Sequence, residues 1–470
     1  MKKLLTILAL TMLTLGIGAQ QRAIIMTDME NEPDDNESLV RLLLYTNEID
    51  IRGIIATNST HMRDRIAPET ILKVIDAYEQ VRPNLLLHAQ GYPEADYLRS
   101  IVKRGTTDYG MKGVGEGHDS EGSRWIIQEL ERDDDRPLWV CAWGGANVLA
   151  QALYSLKATK SANVLQRLIS KLRVYTISDQ DDTSIWIRRT FPTLFYIVSP
   201  GGYGNGTWTG IMQTTEGADN DCISNSWLAA HIQQGHGPLG ACYPDVAYGM
   251  EGDTPSWLNL IPNGLNAPEH PNWGGWGGRY ELYKPRREDC DPNGFTGGVP
   301  VEEEPREIWT NAIDHFRPFL PKSHGCAVQR DTTAYSGYTT TVWRWRTAFQ
   351  NDFAARMDWC TKPFAAANHP PVARLAHANE LQVKSGEWFA LDATPSEDPD
   401  GDSLSYLWFC YPEAGSGRQV EPAGSPNIHR VMVRAPQVSK PEDIHFILQL
   451  SDKGSPSLTR YQRVIVHVVQ

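Results

Sequence analysis

The sequence predicts an α/β protein with a mostly parallel sheet and helices on both faces, followed by a C-terminal immunoglobulin-like β-sandwich. Three observations predict it. Through the first half, short apolar runs alternate with runs of helical period, the βαβα pattern of a parallel sheet. Near residue 368 that pattern stops, and short alternating runs separated by turn clusters begin. At 470 residues with 41% hydrophobic content, the chain is too long for one ordinary domain and apolar enough for two cores.

Each element follows in order. Residues 1–19 have a basic start, an apolar stretch and small residues at Gly18-Ala19, and read as a secretory signal peptide cleaved after Ala19. The apolar stretch is short for a membrane span. A secreted or periplasmic location is therefore expected. Ala23-Ile24-Ile25-Met26 forms a strand that ends in Thr27-Asp28. A loop with Glu30, Asn31, Glu32, Pro33, Asp34 and Asp35 leads into a helical pattern carried by Leu39, Val40, Leu42, Leu43 and Leu44. Residues 51–58 read as a strand, and a helix runs from Pro68 to about Val81. Another helix covers Ser123–Arg132, residues 137–145 form a buried strand, and a helix starts at Asn147. Two more strands fall at 174–178 and 194–199. From about 200 to 360 the chain is rich in Gly, Pro, Asn and Trp, which predicts long loops.

The boundary falls in Ala365-Ala366-Ala367-Asn368-His369-Pro370-Pro371, giving domains at 20–364 and 368–470. Beyond it, runs at 381–394, 404–411, 428–435, 444–452 and 461–469 predict an antiparallel sandwich. Asp398, Asp400 and Asp402 either hold Ca²⁺ or make an ordinary Asp-Pro-Asp-Gly-Asp turn.

A formal net charge of -13 argues against nucleic acid and anionic membranes as partners. No later segment is long and apolar enough for integral membrane association. The cysteine count, seven, is odd. Cys141 lies in an apolar strand pattern and is expected as a buried free thiol, while the others are open to pairing. The spacings of a structural zinc site are missing. A homo-oligomer is an open possibility.

The chemistry concentrates at the first handover from strand to helix. In open parallel sheets, ligands bind outside the carboxyl ends of the strands. Carboxylates crowded there need a cation or protons to neutralise them. Oxygen-only ligands suit Ca²⁺ or Mg²⁺. The competing reading is a solvated acidic loop that caps the helix.

Thr27-Asp28 followed by Asp34-Asp35 resembles the opening motif of the nucleoside hydrolases. The loop is two residues longer here, and Met26 replaces the first Asp of the usual triplet. The segments GEGHDSEGSRW (115–125), GHGPLG (235–240), EGDTPSWL (251–258), NGLN (263–266), WGGWGGRY (273–280) and FQNDFAARMDWC (349–360) resemble a secreted, nucleoside-hydrolase-like branch that includes a cellulose-binding protein. The C-terminal part resembles PKD and cadherin-like modules.

The resemblance implies a nucleoside-hydrolase-like fold and a Ca²⁺ ion held by Asp28, Asp35, Asp253 and the Ala146 carbonyl. It makes Asp28 a general base and assigns Asp34 to sugar hydroxyls, with Asn58 assisting and Asn147 in the same substrate site. Glu30 and Glu32 are additions peculiar to this loop, and either enter that substrate site or face solvent. Gly252 stands where the family has a His linked to the leaving base. His118 and His236 are the replacement candidates for general acid. Trp273, Trp276 and Tyr280, in a glycine-rich loop, suit either stacking on sugar rings or packing. Two functions follow. One is an exported, Ca²⁺-dependent hydrolase of an N- or O-glycosidic bond in a carbohydrate or nucleoside-like small molecule. The other is a non-catalytic binder of a cellulose-like polysaccharide on the same scaffold.

Overall fold

The computed structural model describes residues 20–201, 206–290, 299, 301–322 and 327–470, so the signal-peptide segment and Cys326 lie outside the described residues. β1 (Arg22–Thr27) is buried along its whole length. Its side chains alternate, with Ala23 and Ile25 in the core on one face of the sheet and Ile24 and Met26 in the core on the other. A strand covered on both faces reads as an unbroken apolar run. Next come α1 (Asp34–Leu43), β2 (Asp50–Ala56), α2 (Pro68–His88), α3 (Ala95–Ser100) and β3 (Val102–Arg104). They are followed by α4 (Glu121–Glu131), β4 (Leu138–Ala142), α5 (Asn147–Thr159) and α6 (Ala162–Lys171). β5 (Leu172–Thr176), α7 (Thr183–Thr190) and β6 (Phe195–Val198) complete the alternation. α2 outruns the expected end near Val81 and continues through Pro83, because Leu85 still packs into the core. α1 and α2 cover one face, while α4, α5 and α6 cover the other.

β7 (Tyr280–Tyr283) and β8 (Ile308–Asn311) close an eight-stranded sheet of order β3-β2-β1-β4-β5-β6-β8-β7. All neighbours are parallel except β7, which runs antiparallel to β8. The chain lays β2 and β3 to one side of β1, then β4, β5 and β6 to the other. This reversal opens a crevice beyond the carboxyl ends of β1 and β4. β7 and β8 arise from the stretch expected to be loops. So do β9 (Asp314–Phe316), β10 (Phe319–Pro321), β11 (Val328–Arg330) and β12 (Tyr335–Gly337), which pair as β9–β12 and β10–β11. The helix Arg346–Asp358 also lies in that stretch. It is buried nearly all round, so its sequence lacks a one-sided apolar stripe.

The C-terminal part contains β13 (Glu380–Lys384), β14 (Trp388–Asp392), β15 (Ser405–Cys410), β16 (Arg430–Arg434), β17 (Glu442–Ser451) and β18 (Thr459–Val469). A four-stranded sheet β13-β18-β17-β15 packs with a two-stranded β14-β16 pair around Leu391, Trp408, Val433 and Phe446. The run 381–394 holds two strands, the greater part of β13 and all of β14. Gly386, at φ +79°, turns the chain from one sheet to the other. The all-antiparallel expectation needs a correction, because β13 lies parallel to β18. Asp398 makes the turn at residues 398–402 by accepting the Asp400 and Asp402 N–H groups at 2.9 and 3.0 Å.

The two parts share a core. Phe409, Tyr411, Ile447 and Tyr461 join the same apolar cluster as Trp276, Trp345 and Phe349. Polar groups are paired at the junction. Asp352 binds Arg356 at 3.1 Å and Arg460 at 2.6 Å, and Tyr411 donates to Asp314 at 2.6 Å. Arg463 donates to the carbonyls of Leu265 and Gly274 at 2.8 and 2.9 Å. The six described cysteines are unpaired. Cys141 is buried as expected, which pushes its thiol up to about 12. Among the described residues no helix is long and apolar enough to cross a membrane.

Candidate active site

Different pieces of chain deliver carboxylates to the crevice. Asp28 follows β1 directly and is buried, with Ser59 and Asn31 hydrogen-bonded to its carboxylate. Its Oδ2 has no partner. Gly144 follows β4, and a Cβ there would stand 2.6 Å from Asp28 Oδ1, so a side chain would push the two strand ends apart. Asp34 and Asp35 open α1. Thr27 Oγ1 donates to Asp35 Oδ1, and the Asp35 N–H donates to Asp34 Oδ1 at 3.0 Å.

Asp253 arrives from a distant loop that α1 clamps in place. Glu37 Oε2 accepts the Glu251 N–H at 2.8 Å, Arg41 Nε lies 2.5 Å from Glu251 Oε2, and Thr254 donates to Ser38 at 3.0 Å. These bonds hold Glu251 at φ +50°, a left-handed conformation that a non-glycine residue keeps only under tertiary constraint. Among the described residues, Asp34, Asp35 and Asp253 each offer an oxygen, and the three oxygens lie within 4.8 Å of one another.

The electrostatics are those of an uncompensated acidic cluster. Burial, then the neighbouring acids, push Asp34, Asp35 and Asp253 well above the usual carboxylate range. Burial raises Asp28 despite its hydrogen bonds, and burial followed by Asp28 raises Glu32. Burial and Glu251 push Glu37 to about 9. Arg41, on α1, is held by Glu251 and not by the cluster. Buried carboxylates in this state take up protons or bind a cation. Asp253 Oδ2, like Asp28 Oδ2, is buried without a partner. All-oxygen donors with orphaned lone pairs fit a hard divalent ion such as Ca²⁺. Beside the cluster a cavity of about 280 Å³ is lined by Asn31, Glu32, His61 and Tyr248.

The family model described as the nucleoside hydrolase-like domain of cellulose-binding Sde182 matches residues 22–280, more than half of the chain. The chain belongs to this family. A second family model, the C-terminal domain of cellulose-binding protein Sde0182, matches residues 388–468. Among solved structures, the chain is similar to a nucleoside hydrolase-related hypothetical protein from Saccharophagus degradans that is associated with carbohydrate metabolism. The two are 35% identical, with a TM-score of 0.78, over 96% of this chain and 100% of that one. The effector protein XOO4466 matches at 11% identity and a TM-score of 0.32, over 62% of this chain and 87% of that one. The type III effector XopQ in complex with adenosine diphosphate ribose matches at 10% and 0.29, over 52% and 68%. Similarity that low carries nothing over to this chain. No curated protein matches it.

Within this family frame, the residues singled out from the sequence fall into three groups. Asp28, Asp34, Asp35, Asp253 and Glu32 meet at the crevice or its mouth. Glu30 does not join them, because Arg65 at 2.7 Å and Thr70 at 2.5 Å hold it on the surface. Asn58, Asn147 and Ala146 form a second group, the frame behind the crevice. Asn147 Nδ2 donates to Asn58 Oδ1 at 2.9 Å, Thr57 donates to Asn147 Oδ1 at 3.0 Å, and both asparagines are fully buried. The Ala146 carbonyl accepts the Ala150 N–H at 2.9 Å, the first bond of α5. Asp181, which the sequence reading passed over, anchors this turn by accepting the Asn147 N–H at 3.1 Å.

The third group lies elsewhere. His118 is half-exposed, 3.8 Å from Asp108, and His236 is buried against Asp358 at 3.1 Å. The picture of Trp276 as an open stacking platform needs correction. Its ring is fully buried, edge-on to Tyr461 and Phe349. Trp273 stacks on His270 at 4.0 Å and lines a groove with His445 at the junction. Gly274 explains the loop composition, since a Cβ there would lie 2.4 Å from the Tyr411 hydroxyl. Glycine is needed there for close approach of the C-terminal part. His61 was missed. Its signal was position, in the loop that leaves the carboxyl end of β2.

Proposed function

We propose that this chain is an exported hydrolase of a glycosyl bond that works with a divalent cation, Ca²⁺, held by Asp34, Asp35 and Asp253. The convergence of those three carboxylates at the switch point supports the reading most strongly. A cation bound there would lower the pKa of a water and orient it. Asp28 contributes a buried carboxylate whose Oδ2 is free to accept the proton of that water. Its other contacts, Ser59 and Asn31, fix its direction. Glu32, at the mouth, accepts sugar hydroxyls. Negative charge packed round the reacting carbon stabilises an oxocarbenium-like state. His61, which shares that mouth with Glu32 and whose protonated form is disfavoured by burial and by Arg63, would donate the proton to a departing group.

A second reading, a carbohydrate binder without turnover, is favoured by two observations. The family description is cellulose-binding, and Gly252 leaves no acid where a His would stand. A side chain at Gly252 would lie 2.9 Å from Asp34 Oδ2, so the cleft is built for the glycine. The test is turnover of nucleosides and of pentofuranosyl and pyranosyl glycosides with Ca²⁺ and with chelator. Asp28→Asn should keep the fold and lower kcat by about 10²–10⁴-fold. No turnover on any substrate, with polysaccharide pull-down intact in both proteins, would leave the binding reading.

A further inference from the structure

Two histidines meet where the end of α2 touches the segment that joins the two parts of the chain. His88 is the last residue of α2, and His369 lies in the boundary segment 365–371. His88 Nδ1 and His369 Nε2 are 2.9 Å apart. The rings are 25° from coplanar with centroids 5.2 Å apart, so they meet edge to edge. On the far side of each ring stands an acceptor. Asp400, in the turn at residues 398–402, has its carboxylate oxygens 3.0 and 3.1 Å from His369 Nδ1. The Lys362 carbonyl lies 2.8 Å from His88 Nε2. Asp400 also accepts the His369 backbone N–H at 2.7 Å. Phe364 stacks on the His369 ring at 3.9 Å, and His369 is buried.

The ends of this row fix its hydrogen count. A carbonyl and an ionised carboxylate only accept, so His88 Nε2 and His369 Nδ1 each carry a hydrogen. The gap between the other two nitrogens needs one more. With none, two lone pairs would face each other there, and with two, a pair of N–H groups would collide. Three N–H groups on two imidazoles are one more than the neutral rings possess. The row is therefore complete with a single positive charge, which Asp400 balances. Burial holds His88 below its ordinary value and so keeps that charge off its ring. The neighbouring elements bring other charged groups, and most are engaged. Asp358 holds Lys362 at 2.8 Å and His236 at 3.1 Å, and Asp452 accepts from Asn368 at 3.1 Å. Arg356 pairs with Asp352 and Glu48, and Asp398 accepts the N–H groups of Asp400 and Asp402 in the turn.

We propose that the His88–His369 pair is a pH-sensitive latch. It fastens the boundary segment and the turn at 398–402 to α2 while the two rings share one extra proton, and it loosens on either side of that state. The direction follows from proton counting. The folded row holds one extra proton. In the unfolded chain two ordinary histidines, at 6.5, hold one between them at that pH, more below it and fewer above it. Stability from the latch therefore rises towards pH 6.5 from the acid side and falls beyond it. A lone buried histidine would give only the rising limb, and a lone histidine–aspartate pair only the falling one. None of these residues belongs to the carboxylate crevice, so the latch stands independently of hydrolysis.

The test is hydrogen–deuterium exchange of the full chain from about pH 5 to about pH 8, corrected for intrinsic rates. It is read on peptides covering 84–90 and 362–371, with β4 as the reference. Protection of both peptides relative to β4 should peak near pH 6.5 and fall about tenfold at the ends of that range. His88→Phe keeps a ring beside Trp359 and removes both nitrogens. It should abolish the peak and leave only the falling limb of the His369–Asp400 pair. Wild-type protection that changes on one side of pH 6.5 only, or on neither, overturns the proposal. So does an unaltered peak in His88→Phe. If His88→Phe does not fold, Asp400→Asn decides, because it keeps an acceptor and removes the balancing charge. The falling limb should then move to lower pH, and an unmoved limb overturns the latch.

Discussion

Two of the buried carboxylate groups in this molecule, one at the crevice and one at the junction, are built on opposite terms. At the crevice, Asp34, Asp35 and Asp253 face one another with Asp28 beside them, and each is pushed upward by burial and by the other acids. At the junction, Asp352 is just as buried, and burial pushes it upward too. Arg460 and Arg356 outweigh that and hold it at about 2. One set is complete within the chain. The other leaves its charge to be matched from outside. A fold keeps such a deficit at a site where something binds, and closes it where two parts must stay together.

The comparison can be broken most forcefully at the junction. Asp352→Leu leaves Arg460 buried without its acid and Arg356 with Glu48 alone, and should cost about 3–5 kcal/mol in urea unfolding. The matching change in the crevice should have the opposite sign. In chelator, Asp253→Asn relieves repulsion and should raise the melting temperature of the cation-free chain. It should also remove the gain that Ca²⁺ gives the wild type, about 2.7 kcal/mol at a hundredfold excess over Kd. If Asp253→Asn lowers the melting temperature in chelator, the crevice carboxylates are not in conflict and the contrast fails.

The pH dependence separates the two sets further. Asp352 has a folded pKa of about 2, below its ordinary 3.8. Its stabilisation is therefore present above about pH 4 and lost as the pH falls through 2. About 2 kcal/mol should disappear over that window and be missing from Asp352→Asn. The smallest effect concerns Trp276. Its Nε1 donates to the Tyr461 hydroxyl at 3.4 Å. Trp276→Phe should lower stability by about 1 kcal/mol while KM for any substrate stays put. A rise in KM without loss of stability would move Trp276 from the junction to the crevice.

How much of this was legible depended on distance along the chain. Asp28, Asp34 and Asp35 are neighbours in sequence, joined by one strand, one loop and one helix start. Local periodicity and turn chemistry place them without further help. Asp253 came only through a resemblance, because the clamp that fixes it pairs Glu37, Ser38 and Arg41 with residues of a loop far along the chain. The aromatic residues of the glycine-rich loop were read as suited either to sugar stacking or to packing. Gly274 of that loop answers to Tyr411, a contact that no local pattern encodes.

The sequence by itself determined the alternating sheet, its two-sided burial, the acid-rich turn after β1 and the change of pattern near residue 368. All of these rest on interactions within a few residues, where side-chain period and backbone preference act directly. Tertiary structure alone decided that β7 and β8 close the sheet, that β13 runs parallel to β18, and that Asn58 and Asn147 bind each other. It also decided that arginines from both sides of residue 368 surround one aspartate. The physical reason is the same in each case. A buried polar group takes its partner from whichever segment packs against it, and packing is settled only when the whole core has formed.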